Sequence, residues 1–465
     1  MSDRLYQLIE KDLTEQIMSG RLRYQDRLPS LRSLCASYSV SKGTTLHALQ
    51  RLEARGLIES RPRSGFYVAL KVASEKITET PRKPADVRVN SLLVDIMDHG
   101  AAFDISPGAG GENTQGLEAL NRALNRAMRK QRGQSHLYYD APAGLPELRE
   151  QLALRLQRRG CRLTRDDIAI TSGCQNALFL ALMATCQPGD VVAVEAPGFY
   201  GVLQLLEQLR LKVVEIPSSP VTGVSTEALE EAVKQWPVKA CVVSPCFSTP
   251  AGAVLPVPSR KHLLALAGKH DFAIIEDDIY ADTALGLTPD PLKKDDDSGR
   301  VILCSSFSKS LSRDLRIGWV SGGRWHEQIL QLKLVTQLAS PEGIQRGLSE
   351  FLADGSFATH IKRYQGQLRR QRDELVREIS DWPQADLHSI PQGGLTLWLE
   401  LKLSFDTTEL YLKAKKNNVF ITPGVLFSGE DKFRHHLRLS FAHPWNDART
   451  SALQSIQTLI SSAQR

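Results

Sequence analysis

A lysine set among serines is the first place in this chain where residue type and spacing imply covalent chemistry. The run Ser305-Ser306-Phe307-Ser308-Lys309 is followed, seven residues after the lysine, by Arg316-Ile317-Gly318-Trp319. A lysine amine can form a Schiff base with an aldehyde. The hydroxyls of Ser306 and Ser308 and the forked donors of Arg316 suit a phosphate dianion. Upstream, Ile275-Glu276-Asp277-Asp278-Ile279-Tyr280 ends an apolar run on a carboxylate. Asp277 buried without a partner would be costly, and a protonated pyridine nitrogen is a partner that repays it. The Tyr280 hydroxyl, three positions on, can then bond the phenolic oxygen of the same ring. Together the two segments describe a site for pyridoxal phosphate, with Lys309 as the catalytic residue.

A second chemistry is written in residues 1–70, which carry 11 Lys and Arg against 7 Asp and Glu. Six of those cations, Arg32, Lys42, Arg51, Arg55, Arg61 and Arg63, make a stretch suited to phosphate. Leu5, Leu8, Ile9, Leu13 and Ile17 repeat at helical spacing up to Gly20; Ser30 and Ser41 then stand where N-caps belong. The second helix should face inward through Leu31, Leu34 and Cys35, and the third through Leu46, Leu49 and Leu52, ending at Gly56. Leu57-Ile58 and Phe66-Tyr67-Val68 form a hairpin across a basic, Gly-bearing tip. Three helices and a hairpin make a winged helix-turn-helix. Its recognition helix would offer Lys42, Gly43, Thr44 and Thr45 to base edges, with Arg32 beside them and Arg61 and Arg63 on the wing.

What must position Lys309 and Asp277 is a larger body. Lys71 to about Asn90 is polar, with two prolines and no apolar period, and is expected to be a linker over 71–90. Beyond it, apolar runs at 168–172, 191–195, 213–216, 241–244, 273–276, 301–305 and 317–321 alternate with helical patterns such as 177–185 and 263–269. That alternation predicts an α/β domain with a large, mainly parallel sheet over 91–465. A smaller α+β lobe is expected from about 323 to 465, with strands at 395–401 and 437–441. With 465 residues, 42% hydrophobic and 24% charged, the chain has the composition of an ordinary globular protein of at least two domains. No apolar run is long enough to span a bilayer. Seven scattered cysteines without a CxxC argue against a disulfide framework and a zinc site; no metal site is expected, and a reducing cytoplasm fits.

The segment Leu28-Pro29-Ser30-Leu31-Arg32-Ser33-Leu34, with Val40-Ser41-Lys42, Gly56-Leu57-Ile58 and Gly65-Phe66-Tyr67-Val68, resembles the GntR family of bacterial repressors over residues 4–69. Lys42-Gly43 departs from the family's usual Arg at this turn. From about Asp104 onward the chain resembles fold-type I aminotransferases. That resemblance implies further positions. Tyr139 would reach the cofactor phosphate of a partner subunit. The turn Ser172-Gly173-Cys174-Gln175 would hold the phosphate at a helix N-terminus. Phe199 would stack on the pyridine ring, and Arg438 would clamp an effector carboxylate. Thr249-Pro250-Ala251-Gly252 stands where these enzymes carry Asn-Pro-x-Gly, so Thr249 replaces an amide that normally contacts the ring oxygen. Arg313-Asp314 and the segment 108–115 also depart from the common pattern.

The two halves together resemble the MocR subfamily of GntR-type regulators. The resemblance implies a DNA-binding transcriptional regulator that senses pyridoxal phosphate, or an amine or amino acid, through Schiff-base (aldimine) exchange at Lys309. It also implies a domain-swapped homodimer on a duplex operator, cytoplasmic and nucleoid-associated in a bacterium, with no membrane partner. Two other readings compete: a working aminotransferase with an appended winged helix, and a degenerate domain that dimerises without cofactor. Thr249 argues against the first. Lys309, Asp277, Tyr280 and Arg316 argue against the second.

Overall fold

The computed structural model describes residues 2–18, 22, 26–54, 57–61, 64–68, 80–88, 91–98, 115–130, 139, 141–382, 384–402 and 406–462. Gly20, Arg55, Gly56, Arg63, most of the expected linker and residues 108–114 lie outside this set.

In the N-terminal unit, α1 (Ser2–Met18), α2 (Leu31–Tyr38) and α3 (Lys42–Ala54) precede the hairpin β1 (Ile58–Arg61) and β2 (Gly65–Val68). Both expected caps form. The Ser30 hydroxyl accepts from Ser33 N–H at 3.1 Å, and the Ser41 hydroxyl from Thr44 N–H at 3.2 Å. Ser39 ends α2 in the left-handed region, φ 53°. The core is Ile9, Leu13, Ile17, Leu34, Ala48, Leu49 and Leu52, closed by Leu57, Ile58 and Val68. Leu46 is not part of it: it is 37% exposed, and Leu5 and Leu8 are also exposed. A helix buries positions i, i+3, i+4 and i+7. In α3 that stripe is Thr45, Ala48, Leu49 and Leu52, which turns Leu46 outward. In α1 the same geometry selects Ile9, Leu13 and Ile17 and leaves Leu5 and Leu8 to one side.

The body is organised by β3 (Ala85–Asp86), β4 (Ala169–Thr171), β5 (Val191–Ala196), β6 (Lys212–Ser219), β7 (Gly223–Val224), β8 (Val238–Val243), β9 (Ala273–Asp277), β10 (Val301–Ser306) and β11 (Gly318–Ser321). They make one sheet in the order β3-β6-β5-β8-β9-β10-β11-β4, with β7 paired to β6. The five strands β6-β5-β8-β9-β10 are parallel, and β11 runs against both of its neighbours. All seven strands expected from apolar runs form. Their continuous apolar character follows from burial on both faces. Val192, Val194, Val242, Ile275 and Ile302 pack to one side; Val191, Ala193, Cys241, Val243, Ile274 and Val301 pack to the other.

The helices are α4 (Leu92–Asp98), α5 (Gln115–Lys130), α6 (Pro146–Arg158), α7 (Cys174–Thr185), α8 (Tyr200–Gln208), α9 (Thr226–Gln235), α10 (Val257–His270), α11 (His326–Thr336), α12 (Glu342–Ala353), α13 (Ser356–Ser380), α14 (Thr407–Lys415) and α15 (Asp447–Ser462). Two boundaries differ from expectation. Ala85 and Asp86 pair with β6 and Val87 is buried, so the last part of the expected linker is an edge of the main sheet. Beyond 323, α11 packs on α7 and α12 on α5 and α6, so these helices belong to the large domain. The small lobe is the antiparallel sheet β12 (Ala385–Leu387), β13 (Thr396–Leu401), β14 (Thr422–Pro423) and β15 (His436–Ser440), ordered β12-β13-β15-β14. It is covered by α14, α15, the end of α13 and, from far upstream, α4, whose Leu93 and Ile96 share its core. Asp95 of α4 accepts from Tyr411 Oη at 2.9 Å and Lys415 Nζ at 2.6 Å. All seven cysteines are free.

Candidate cofactor site and DNA-binding face

The C-terminal ends of parallel strands are where open α/β sheets place ligands. Here β9 ends on Asp277 and β10 runs on to Lys309, in a register that puts Cys304 opposite Asp277. The loop bearing Lys309 is closed at its root by Phe307 N–H donating to Ile317 C=O at 3.2 Å. Lys309 is half-buried. Burial first, then the cations of Arg313 and Arg438, hold its amine well below the usual lysine range, while Asp277 opposes them. A lysine biased toward the neutral amine is the nucleophilic form. Arg313, noted in the sequence only as a departure, therefore acts on the reactive group.

Asp277 is buried, and burial pushes its carboxyl up to about 6. Its Oδ1 accepts from Ile279 N–H at 3.2 Å and from the Cys174 thiol at 3.3 Å. A cationic N–H facing it would reverse that shift. Tyr280 is buried, with its phenol held well above the usual range by desolvation. Thr249 Oγ1 is buried and makes no hydrogen bond of good geometry, yet lies close enough to the Tyr280 hydroxyl to favour its ionisation. A buried hydroxyl without a settled partner, beside a phenol, suits a ligand oxygen between them.

The phosphate end is built on α7. Gly173 sits at its N-cap with φ 93°, and a Cβ there would come within 2.7 Å of Arg316 Nη2. Arg316 also donates to Ser172 C=O at 2.9 Å. The guanidinium is thus laid across the turn whose first N–H groups have no helical acceptor. Ser306 is buried and accepts from Ser308 N–H at 3.3 Å. Two side chains of this turn do something other than expected. The Cys174 thiol serves Asp277, and Gln175 Nε2 donates to Gly201 C=O at 2.8 Å, so what both residues offer a phosphate is backbone N–H.

Phe199 precedes α8 and lines one cavity with Asp277, Val194, Ser244 and Phe427. Glu195 lines it too. Sequence reasoning missed this acid, which sits inside an apolar run; burial pushes it up to about 7 and Ser244 N–H bonds it at 3.0 Å. Arg438 lies on β15, 2% exposed, with its guanidinium 5.1 Å from the Phe427 ring and Nη2 donating to Thr422 Oγ1 at 3.3 Å. Tyr139 is 81% exposed and is not packed into the site of its own chain. The donors and acceptors present fit pyridoxal phosphate: an acid for the ring nitrogen, two hydroxyls for the ring oxygen, a glycine-lined cradle with Arg316 for the phosphate, and a depressed lysine.

On the N-terminal unit, Arg32, Lys42 and Gly43 are exposed at the ends of α2 and α3, and Thr44 is half-buried with its hydroxyl 2.9 Å from that of Ser41. Thr45 is a correction. It is fully buried, with its hydroxyl on Ser41 C=O at 3.3 Å and on Cys35 Sγ at 3.3 Å, so it joins the two helices and faces no DNA. Arg51 is spent on Glu10 at 2.8 Å. Arg61 lies on the wing, paired with Glu59 and over the Tyr67 ring at 4.3 Å.

Comparison with known proteins decides the class. The bacterial regulatory protein gntR family matches residues 5–68, and the aminotransferase class I and II family matches residues 109–456. The HTH-type transcriptional regulators YjiR and YdcR of Escherichia coli (strain K12) are 36% and 34% identical, over 97% and 98% of both chains. The chain belongs to the MocR-type regulators. A GntR helix-turn-helix implies DNA binding, and the aminotransferase class I and II domain implies pyridoxal phosphate and amino compounds. The HTH-type transcriptional regulator NorG of Staphylococcus aureus (strain USA300) is 26% identical over 93% of this chain and 99% of its own. Among solved structures, the kynurenine aminotransferase of Pyrococcus horikoshii, in complex with PMP, superposes with TM-score 0.72 at 28% identity, covering 81% of this chain and 96% of that one. This MocR-type chain is therefore a PLP-dependent transcriptional regulator. No helix among its described residues is long and apolar enough to cross a membrane.

Proposed function

We propose that Lys309 holds pyridoxal phosphate and that the site senses a carboxylate-bearing amine, passing its presence to the winged helix. One observation carries this reading: the Arg438 guanidinium, on the small lobe, lies 5.1 Å from the Phe427 ring, and Phe427 lines one cavity with Phe199 and Asp277 of the large domain. When bound, the cofactor supplies an aldehyde that amines can take from Lys309 and a ring that draws electrons. Asp277 would hold a proton at the ring nitrogen. Tyr280 and Thr249 would bond the ring oxygen, Phe199 would flank the ring, and Arg316, Ser306, Ser308 and the Gly173–Gln175 turn would bind the phosphate. An amino acid with its amine at Lys309 and its carboxylate on Arg438 would span both lobes. It would favour one lobe arrangement over the other, which is what coupling to a second site requires.

The operator-binding form is a homodimer in a bacterial cytoplasm, associated with the nucleoid. Tyr139, 81% exposed, and the exposed Leu334, Val335 and Leu338 of α11 and its end support a second copy against this body. Arg32, Lys42, Thr44, Arg61 and Arg63 would face the operator. The test is to titrate full-length protein with amino acids and amines, following both the cofactor absorption and operator affinity. An active amino acid should move both, and Arg438→Ala should erase the response while the yellow Lys309-bound cofactor remains. Ketoacid release should be slow beside the roughly 10 per second of a typical enzyme. Fast multiple turnover would replace this reading with that of a metabolic aminotransferase.

A further inference from the structure

At the outer end of the small-lobe sheet, three potential metal donors from three segments converge, and none belongs to the cofactor site. Glu400 and His436 are cross-strand partners on β13 and β15, and His388 follows β12 directly. Glu400 Oε2 is 2.8 Å from His388 Nε2 and 4.0 Å from His436 Nε2. One donor atom from each residue lies within 4.8 Å of the other two.

We propose that His388, Glu400 and His436 form a binding site for a borderline transition-metal dication of the zinc class. Two imidazoles and one carboxylate are a donor set for zinc, nickel, cobalt or copper; calcium and magnesium prefer oxygen throughout. Tetrahedral zinc with bonds of about 2.0–2.2 Å needs donors roughly 3.4 Å apart. The present separations of 2.8 and 4.0 Å bracket that value, so side-chain rotation is enough. The three side chains are 18%, 42% and 18% exposed in chain order from His388. The site is therefore walled by protein but open past Glu400, leaving a position for water or an external ligand.

The rings are held before any ion arrives. His436 stacks on Trp398 at 5.1 Å and 20°, and Phe433 meets its edge at 5.5 Å. His388 lies over His436 at 6.3 Å and 30°. The His436 Nδ1 is buried without a hydrogen bond. A dication would satisfy all three donors at once. The site also sits on the sheet face that carries Arg438. Trp398, which backs His436, meets Phe427 at 5.3 Å, and the Arg438 guanidinium lies 5.1 Å over the same Phe427. Occupancy would thus stiffen the strand pair that presents the proposed effector arginine.

The experiment is calorimetric titration of the full-length, cofactor-loaded protein with Zn2+, repeated with Ni2+ and with Mg2+. Zn2+ and Ni2+ should bind at one equivalent per chain and raise the thermal midpoint, while Mg2+ should do neither. Glu400→Gln and His388→Gln should each weaken Zn2+ by more than the roughly 10–100-fold that loss of an outer-shell partner costs. Both positions are partly exposed, and circular dichroism and operator binding report whether the variants fold. His435→Gln, exposed and next in the chain, should bind as the parent does. Absence of a saturable equivalent in the parent overturns the proposal, as does undiminished binding in folded Glu400→Gln and His388→Gln proteins.

Discussion

The cofactor site and the DNA-binding face are built in opposite ways. The first gathers groups from Ser172 to Arg438, across two lobes, and buries most of them before any ligand is present. The second draws on the short span from Arg32 to Arg61 and leaves Arg32 and Lys42 exposed at the surface. Burial makes the cofactor site electrostatically unsettled: Asp277 is pushed up to about 6 and Lys309 well down, and each shift is relieved by what binds there. The DNA face stores no such tension, because solvated cations wait at little cost for phosphates to release their counterions. One region is therefore tuned by desolvation and the other by ionic strength.

The sharpest test of that division is Lys309→Ala. It should abolish covalent attachment completely, read by loss of the yellow colour and of the borohydride-trapped peptide, while operator DNA is still bound. Labelling at another lysine in the parent would break the assignment. Next, Asp277 should cost the cofactor-free protein about 3 kcal/mol above pH 6. Well below its ordinary value of 3.8 the group is protonated whether folded or not. As pH rises to about 6 the unfolded chain ionises first, so folding stability falls. Urea midpoints against pH should show that fall in the parent and lose its Asp277 part in Asp277→Asn.

A smaller effect is expected from Gly173→Ala. Its φ of 93° suits glycine alone, and the new Cβ would displace Arg316. The strain of about 1–3 kcal/mol should weaken pyridoxal phosphate roughly ten- to a hundredfold, measured by equilibrium dialysis. Smallest, and confined to the other region, is Arg32→Ala. The log–log salt slope of operator binding should flatten by about 0.9 for the one phosphate that the variant no longer neutralises, with the cofactor spectrum unchanged. A spectral change there would mean that the two regions are less separate than their construction suggests.

What could be read from sequence follows the same division. Buried parallel strands announce themselves as apolar runs, and a carboxylate or lysine ending such a run stands out, which is why Asp277, Tyr280 and Lys309 are legible beside Arg316. The caps Ser30 and Ser41 are legible because capping is local. Leu46 and Thr45 exchange the roles that their residue types suggest, since a threonine can hold an inner helical position when its hydroxyl bonds the preceding turn. Glu195 is hidden within a strand. The triad of His388, Glu400 and His436 depends on β12-β13-β15 register, which no local pattern fixes. The entry of α4 into the small lobe is invisible for the same reason, as its partners lie more than three hundred residues away.

That last connection bears on how the protein is made. Asp95 leaves the ribosome 316 residues ahead of Tyr411, its docking partner. At translation rates of about 5–20 residues per second, the wait is roughly 15 to 60 seconds. Throughout it, Leu93 and Ile96, which the finished protein buries, lack the part of their core that β13, β15, α14 and α15 supply. The short amphipathic stretch behind the first domain thus stays partly uncovered while the small lobe is made. A nascent chain stalled before residue 411 would expose it until released.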